Sequence, residues 1–206
     1  MQMSNNLLYT GLLCAALLTS CGGNKEEEKK DEESVSALGA VSAMKEMAEQ
    51  AEELQKNGPV EAIDFRTLKE LLPADADGLA RKEANGEKNG AAGMVISTAN
   101  AKYANDDNSE TVELAIVDGG GSSMLMGLAA WSMIEVDKET ENGYEKTGKM
   151  GDYKSYEKYD NANKEGEIAV LVAKRFIVTV KGRGMSMDKI KSVLEDVDLS
   201  KLAGLK

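Results

Sequence analysis

The chain has 206 residues, with 25 Lys and Arg against 36 Asp and Glu, and a formal charge of −11. It contains no His and only two Cys, Cys14 and Cys21. The absence of imidazole excludes Ser–His–Asp and Cys–His nucleophile systems and His-based zinc sites, and an acidic chain without a basic block excludes nucleic acid as a partner. What remains is carboxylate, Lys, Tyr, Ser/Thr and backbone chemistry, with no cofactor motif, in a length that suits one domain.

In chain order, Leu7 to Leu18 is mostly apolar and is followed by Thr19-Ser20-Cys21. An apolar run of this length before small residues reads as a signal-peptide core, too short to span a bilayer as a stable helix. Leu18, Thr19, Ser20 and Cys21 resemble the lipobox of bacterial lipoproteins. The resemblance is confined to the N-terminal segment. It implies a signal peptide over 1–20, cleavage before Cys21, and diacylation of Cys21, which makes the membrane a partner through a lipid anchor. One feature departs from the pattern: the opening MQMSNN carries no Lys or Arg, where signal peptides usually carry a basic n-region, and the start codon stays open.

Residues 25–33 read KEEEKKDEE. Six acids and three bases in nine positions cannot form a core, so 21–33 reads as a solvated, disordered tether. Gly22 is not the Asp that resembles an inner-membrane retention signal, which favours the outer membrane. Lys25 followed by acids resembles the export signal of Bacteroidota surface lipoproteins. A plain hydrophilic spacer explains it equally well, and the periplasmic or surface face stays open.

Residues 34–57 predict an amphipathic helix, with Ser34 as cap and Val35, Leu38, Val41, Met44, Ala51 and Leu54 at helical spacing. It packs on the domain or serves as a stalk or partner helix. Residues 58–206 then form a single α+β domain. Asp64 caps a short helix that Pro73 ends, with Phe65, Leu68 and Leu71/Leu72 inward. Leu79–Ala84 reads as a weak strand and 85–90 (NGEKNG) as a turn. Strands follow over 93–103 and 110–118, joined by a turn at 105–109, with Val112, Leu114 and Ile116 on one face.

Gly119-Gly120-Gly121 leads into a predicted helix over 122–134. The region around Glu139 and Glu141 reads as a charged, solvated loop. Strands are expected over 151–160, 167–173 and 176–181, with a tight turn at Lys174-Arg175. A final helix starts at Ser186, with Met187, Ile190, Val193/Leu194 and Val197 inward. Short polar turns between strands imply antiparallel pairing with helices packed on the sheet. This layout is similar to the Mog1/PsbP-like group in topology alone.

Four segments invite a chemical reading. Asp118 to Ser123 (DGGGSS) stands where a phosphate loop would, but it lacks the third Gly of a dinucleotide fingerprint and any Gly-Lys-Ser/Thr, so it reads as a turn. Met124 to Ile134 carries no charge and hardly a polar face. It is either a central buried helix or an adaptable surface around Trp131, in which Met124, Met126 and Met133 contact a partner or an apolar ligand and Gly127 allows close approach. Tyr153, Tyr156 and Tyr159 read as strand residues, with Tyr156 on the face opposite the other two. Asp75-x-Asp77-Gly78 and Asp160–Glu167 hint at calcium loops but lack the ligand pattern, and read as turns.

The expectation is a lipid-anchored, non-enzymatic binding or interaction module of the outer membrane. The alternative is a carrier of a lipid-like or small apolar ligand. A carboxylate- and Tyr-based enzyme ranks third.

Overall fold

The computed structural model describes residues 60–91, 94–120 and 129–205, together with Lys45 and Glu52. The lipobox residues Leu18, Thr19, Ser20 and Cys21, the tether, and the rest of the helix expected over 34–57 lie outside the described residues.

Nine strands form one antiparallel sheet: β1 (Asp75–Ala76), β2 (Leu79–Ala91), β3 (Met94–Ala104), β4 (Thr111–Asp118), β5 (Asp137–Thr140), β6 (Gly143–Met150), β7 (Tyr153–Asp160), β8 (Glu165–Val172) and β9 (Phe176–Arg183). Their order is β1-β2-β3-β4-β9-β8-β7-β6-β5. The sheet is thus two meanders joined at β4 and β9. The second meander starts at the far edge and works inward. The connection from β4 to β5 therefore travels from the middle of the sheet to its edge, and it is built from the uncharged segment around Trp131.

Among the described residues the α-helices with given bounds are few and short: α1 (Phe65–Lys69), α2 (Met187–Glu195) and α3 (Leu199–Ala203). The described residues are mostly sheet with few short helices, where an α+β domain of an antiparallel sheet with packed helices was expected. Each helix starts on a side-chain cap of the kind that satisfies orphan amides: Asp64 accepts from Arg66 N–H at 2.8 Å, Ser186 from Lys189 N–H at 3.3 Å, and Asp198 from Lys201 N–H at 2.7 Å.

One face of the sheet holds the core. Val112, Leu114 and Ile116 of β4, Phe176, Val178 and Val180 of β9, and Ile168, Val170 and Val172 of β8 are all buried there. Leu68, Ile190, Val193, Leu194 and Leu202 cover them from the helices. Ile190 packs closely on the sheet because Gly166 and Gly182, directly opposed in β8 and β9, leave a floor without side chains. A Cβ on either glycine would stand within 3 Å of Ile190.

The other face is largely open and its charges alternate. Directly opposed residues across eight neighbouring strands read Glu83, Lys102, Glu113, Lys181, Glu167, Lys158, Glu145 and Lys138. Lys102 and Glu113 lie 3.8 Å apart and Lys181 and Glu167 3.5 Å apart. Opposite charges facing each other favour this pairing, and a one-residue slip would drive them to the core side. The ladder therefore helps fix register.

Three expectations give way to the structure. Residues 85–90 are not a turn, because β2 runs straight through them to Ala91. Gly86 is needed there for packing, since a Cβ on it would sit 2.5 Å from the Phe65 ring. The charged region around Glu139 and Glu141 is not a loop throughout: it builds the β5–β6 hairpin. All four residues of β5 are exposed, so the alternation of an inward face is missing and periodicity could not reveal it. Finally, the described end of the helix expected over 122–134 is a single 3-10 turn, Ala130–Met133, after which Ile134 is extended (φ −117°, ψ 157°). The segment is the crossover to an edge strand, and contact with the sheet overrides helical propensity.

Candidate binding groove

The site begins where β4 ends. Asp118 is fully enclosed and every bond it makes is structural. Arg175 grips it with two bonds, Nε to Oδ1 at 2.9 Å and Nη2 to Oδ2 at 2.8 Å. The Ile63 amide donates to Oδ2 at 2.7 Å and the Gly120 amide to Oδ1 at 2.8 Å. Arg175 also donates to the Glu61 carbonyl at 3.0 Å. This clamp holds residues 61–63 against the β4–β9 end of the sheet.

Gly120 has φ +56°, and a Cβ on it would lie 2.4 Å from the Val60 carbonyl. Gly120 is thus there for packing. Its amide points at a carboxylate, which is the wrong charge for a phosphate site.

From there the crossover reappears at Ala129, buried with Ile177 and flanked by Val117 and Leu171 on the open face. Trp131 is half-buried and its ring lies 6.2 Å from that of Tyr156. Lys154 donates to the Ser132 carbonyl at 2.9 Å. At the edge, the Thr147 amide donates to the Val136 carbonyl at 2.8 Å and the Val136 amide to Thr147 Oγ1 at 2.9 Å. The described crossover thus passes from β9 and β8, over β7, to β6. It does not lie flush on the sheet.

Between residues 131–136 of the crossover, with Asp137 at the start of β5, and the β6–β7 hairpin runs a groove of about 550 Å³. Its apolar wall is Trp131, Met133, Ile134 and Val136. Its floor and rim include Thr147, Gly148, Lys149 and Lys154. Ile134 is 49% exposed, one of two large hydrophobic residues so open among the described residues.

The structure places Trp131 and Met133, two of the residues singled out from the sequence, on one groove, together with Ile134 and Val136. Met124, Met126 and Gly127 lie outside the described residues. In its described part the 122–134 segment is not the fully buried helix of the first alternative: Ala129 is buried, while Trp131 and Met133 are half-buried at a groove. The signal for Lys149 and Thr147 was missed because the β5–β6 hairpin was not anticipated.

The other residues singled out take structural places. Tyr153 and Tyr159 share the core face and Tyr156 the opposite one, as the strand reading required; the rings of Tyr144 and Tyr159 lie 6.2 Å apart. Glu157, almost enclosed, receives Lys191 at 2.9 Å, Lys146 at 3.6 Å and the Tyr144 hydroxyl at 3.3 Å. Both of its oxygens are thus occupied in tying α2 to β6 and β7. Asp160 accepts the backbone amide of Asn163, the Asn163 side-chain amide and the Ala162 amide, and these bonds hold its carboxyl below the usual range. Among the described residues no group of three or more carboxylates is placed to hold a metal ion, and no described helix is long and apolar enough to cross a membrane.

Three of the six tyrosines are pushed up to about 12: Tyr103 and Tyr144 chiefly by burial, and Tyr156 by burial followed by its hydrogen bond to Glu145. The unfolded chain releases phenolic protons near 10, and the folded chain keeps these three to about 12. Their contribution to stability is complete below pH 10 and is lost as pH rises towards 12. A spectrophotometric titration of the phenolate band is expected to show a late class of tyrosine that coincides with alkaline unfolding. A single class near pH 10 in the folded protein would contradict the assignment.

Comparison with known proteins identifies no relative: no family profile, no curated protein and no solved structure matches the chain.

Proposed function

We propose that the chain is a lipid-anchored protein of the bacterial cell envelope, held to the outer membrane through Cys21, whose sheet domain is a non-enzymatic binding module. The observation that carries the binding role is the groove beside Trp131, where an apolar wall stays open beside the charged residues of that sheet face. Monomeric proteins leave few such apolar openings without use. The anchor rests on the lipobox Leu18-Thr19-Ser20-Cys21 and on the polar tether that follows. The likeness to the Mog1/PsbP-like layout enters only as a proposal of architecture, supported by short helices over one face of an antiparallel sheet.

The binding role is tested in the native envelope. Crosslinking from a photoreactive residue at Ile134 is expected to capture one defined species, lost in Trp131→Ala. Diffuse products unaffected by Trp131→Ala would overturn the role. Anchoring is tested separately: Cys21→Ala is expected to abolish fatty-acid labelling and leave an uncleaved precursor, and unchanged labelling would overturn it.

A second reading is a carrier of a small apolar ligand, favoured by the groove volume of about 550 Å³, which lies within the usual range for ligand sites. Native mass spectrometry of gently extracted protein would then show added ligand mass, and a clean apo mass would overturn this reading.

A further inference from the structure

We infer that the groove receives an extended peptide segment, added as a strand beside β6 along the line that β5 vacates. This rests on the groove being a binding site and names what it binds and how.

The reasoning starts from the alternation of backbone groups in an antiparallel strand. The Thr147 amide donates to the Val136 carbonyl, on the β5 side of β6. Glu145, Thr147 and Lys149 therefore turn their main-chain groups outward, while Gly148 and Met150 turn theirs to β7. Strand β5 pairs with β6 only from Gly143 to Lys146, and Val136 extends the contact by one residue. There the ladder stops, because the Val136 amide goes to Thr147 Oγ1 and not to the Thr147 carbonyl. Residues 134 and 135 then leave the sheet towards Trp131. The Thr147 carbonyl and both main-chain groups of Lys149 consequently face the groove with no described strand beside them.

The groove thus joins a vacant main-chain rung to an apolar wall. Strand addition needs both: the rung supplies hydrogen bonds, and the wall receives alternate side chains. An acyl chain would cover the wall but leave three backbone groups desolvated and unpaired, which is costly. The open stretch from Gly148 to Met150 spans about 10 Å at strand rise, enough for a core of three residues. Lys149, near the hairpin turn, marks one end. Glu135 and Asp137 line the other. The fitting occupant is a short alternating apolar segment with an acidic residue at the hairpin end and a basic one at the β5 end.

The test uses the full chain and heptapeptides selected on it from a random displayed library. Trp131 is the single Trp of the chain, so its emission reports binding at the groove directly. Lys149→Pro removes the outward amide and leaves the β7 ladder intact, since that amide does not face β7. Selected peptides are expected to alternate apolar residues and to shift Trp131 emission. They are expected to bind Lys149→Pro about tenfold or more weakly, the loss for one unmade buried hydrogen bond, and Lys149→Ala nearly as well as the native protein. N-phenyl-1-naphthylamine, which needs only the apolar wall, is expected to bind native and Lys149→Pro alike and to be lost in Trp131→Ala.

Equal peptide binding to native and Lys149→Pro overturns strand addition, as does a selection that yields no peptide shifting Trp131. Retained naphthylamine binding in that event leaves the groove itself standing, whereas its failure overturns the groove as well. Should Lys149→Pro fail to fold, N-methylation of a selected peptide at successive positions replaces it: strand addition loses binding at alternate positions only, and a uniform response overturns it.

Discussion

Replacing Asp118 by Ala is expected to cost about 3–5 kcal/mol, the usual consequence of removing one partner from a buried ion pair. Arg175, whose side chain is only 13% exposed, would keep its charge and lose both bonds to Asp118. The amides of Ile63 and Gly120 would lose their acceptor too, and buried amides without partners add to the cost. Urea denaturation measures this as a fall in the midpoint at nearly unchanged slope. Asp118→Asn keeps an acceptor but leaves the guanidinium uncompensated, and is expected to fall between. The double variant Asp118→Leu with Arg175→Met removes both charges and is expected to recover part of the loss. A loss for Asp118→Ala below about 1 kcal/mol, the range of an exposed ion pair, would show that the clamp does not hold the end of the sheet.

The second large effect lies under α2. Ile190→Ala is expected to cost about 2–5 kcal/mol through lost burial and the cavity left behind. Gly182→Ala is expected to cost about 1–3 kcal/mol from the opposite cause, overpacking. Its new Cβ would lie 2.5 Å from Ile190 Cγ1 and 2.9 Å from Met185 Sδ. Because the methyl of the second variant enters the space emptied by the first, the double variant is expected to lose less than the two single losses together. A coupling of about 0.5–3 kcal/mol is the range for residues in direct contact. Strict additivity would mean that Ile190 does not rest on the Gly166–Gly182 floor.

How much of this was legible in the sequence depends on burial. The strands with one buried face were readable: Val112, Leu114 and Ile116 alternate with exposed or half-exposed partners, and the Tyr153–Tyr159 run alternates likewise. The caps at Asp64 and Ser186 were readable because a side-chain oxygen before an apolar stripe has a local purpose. The β5–β6 hairpin was not, because β5 buries neither face and its residues carry no pattern. Residues 85–90 misled because Asn and Gly usually make turns, whereas here they continue β2 and Gly86 leaves room for the Phe65 ring. The Asp118–Arg175 clamp joins residues far apart in the chain, and nothing local marks it.

The candidate site was half legible. An uncharged run around Trp131 in so acidic a chain pointed to an unusual place, and Trp131 and Met133 do line the groove. Its form as a crossover strap follows from the strand order, which periodicity does not reveal. The backbone edge at Thr147 and Lys149 follows from β5 stopping early.

Acrylamide quenching of Trp131 tests the open groove most directly, because no other Trp contributes to the emission. An open groove predicts emission at intermediate wavelength that acrylamide quenches in the folded protein, and that a selected peptide protects. A blue-shifted emission that acrylamide cannot reach would contradict it, since Trp131 would then be enclosed and there would be no groove to fill.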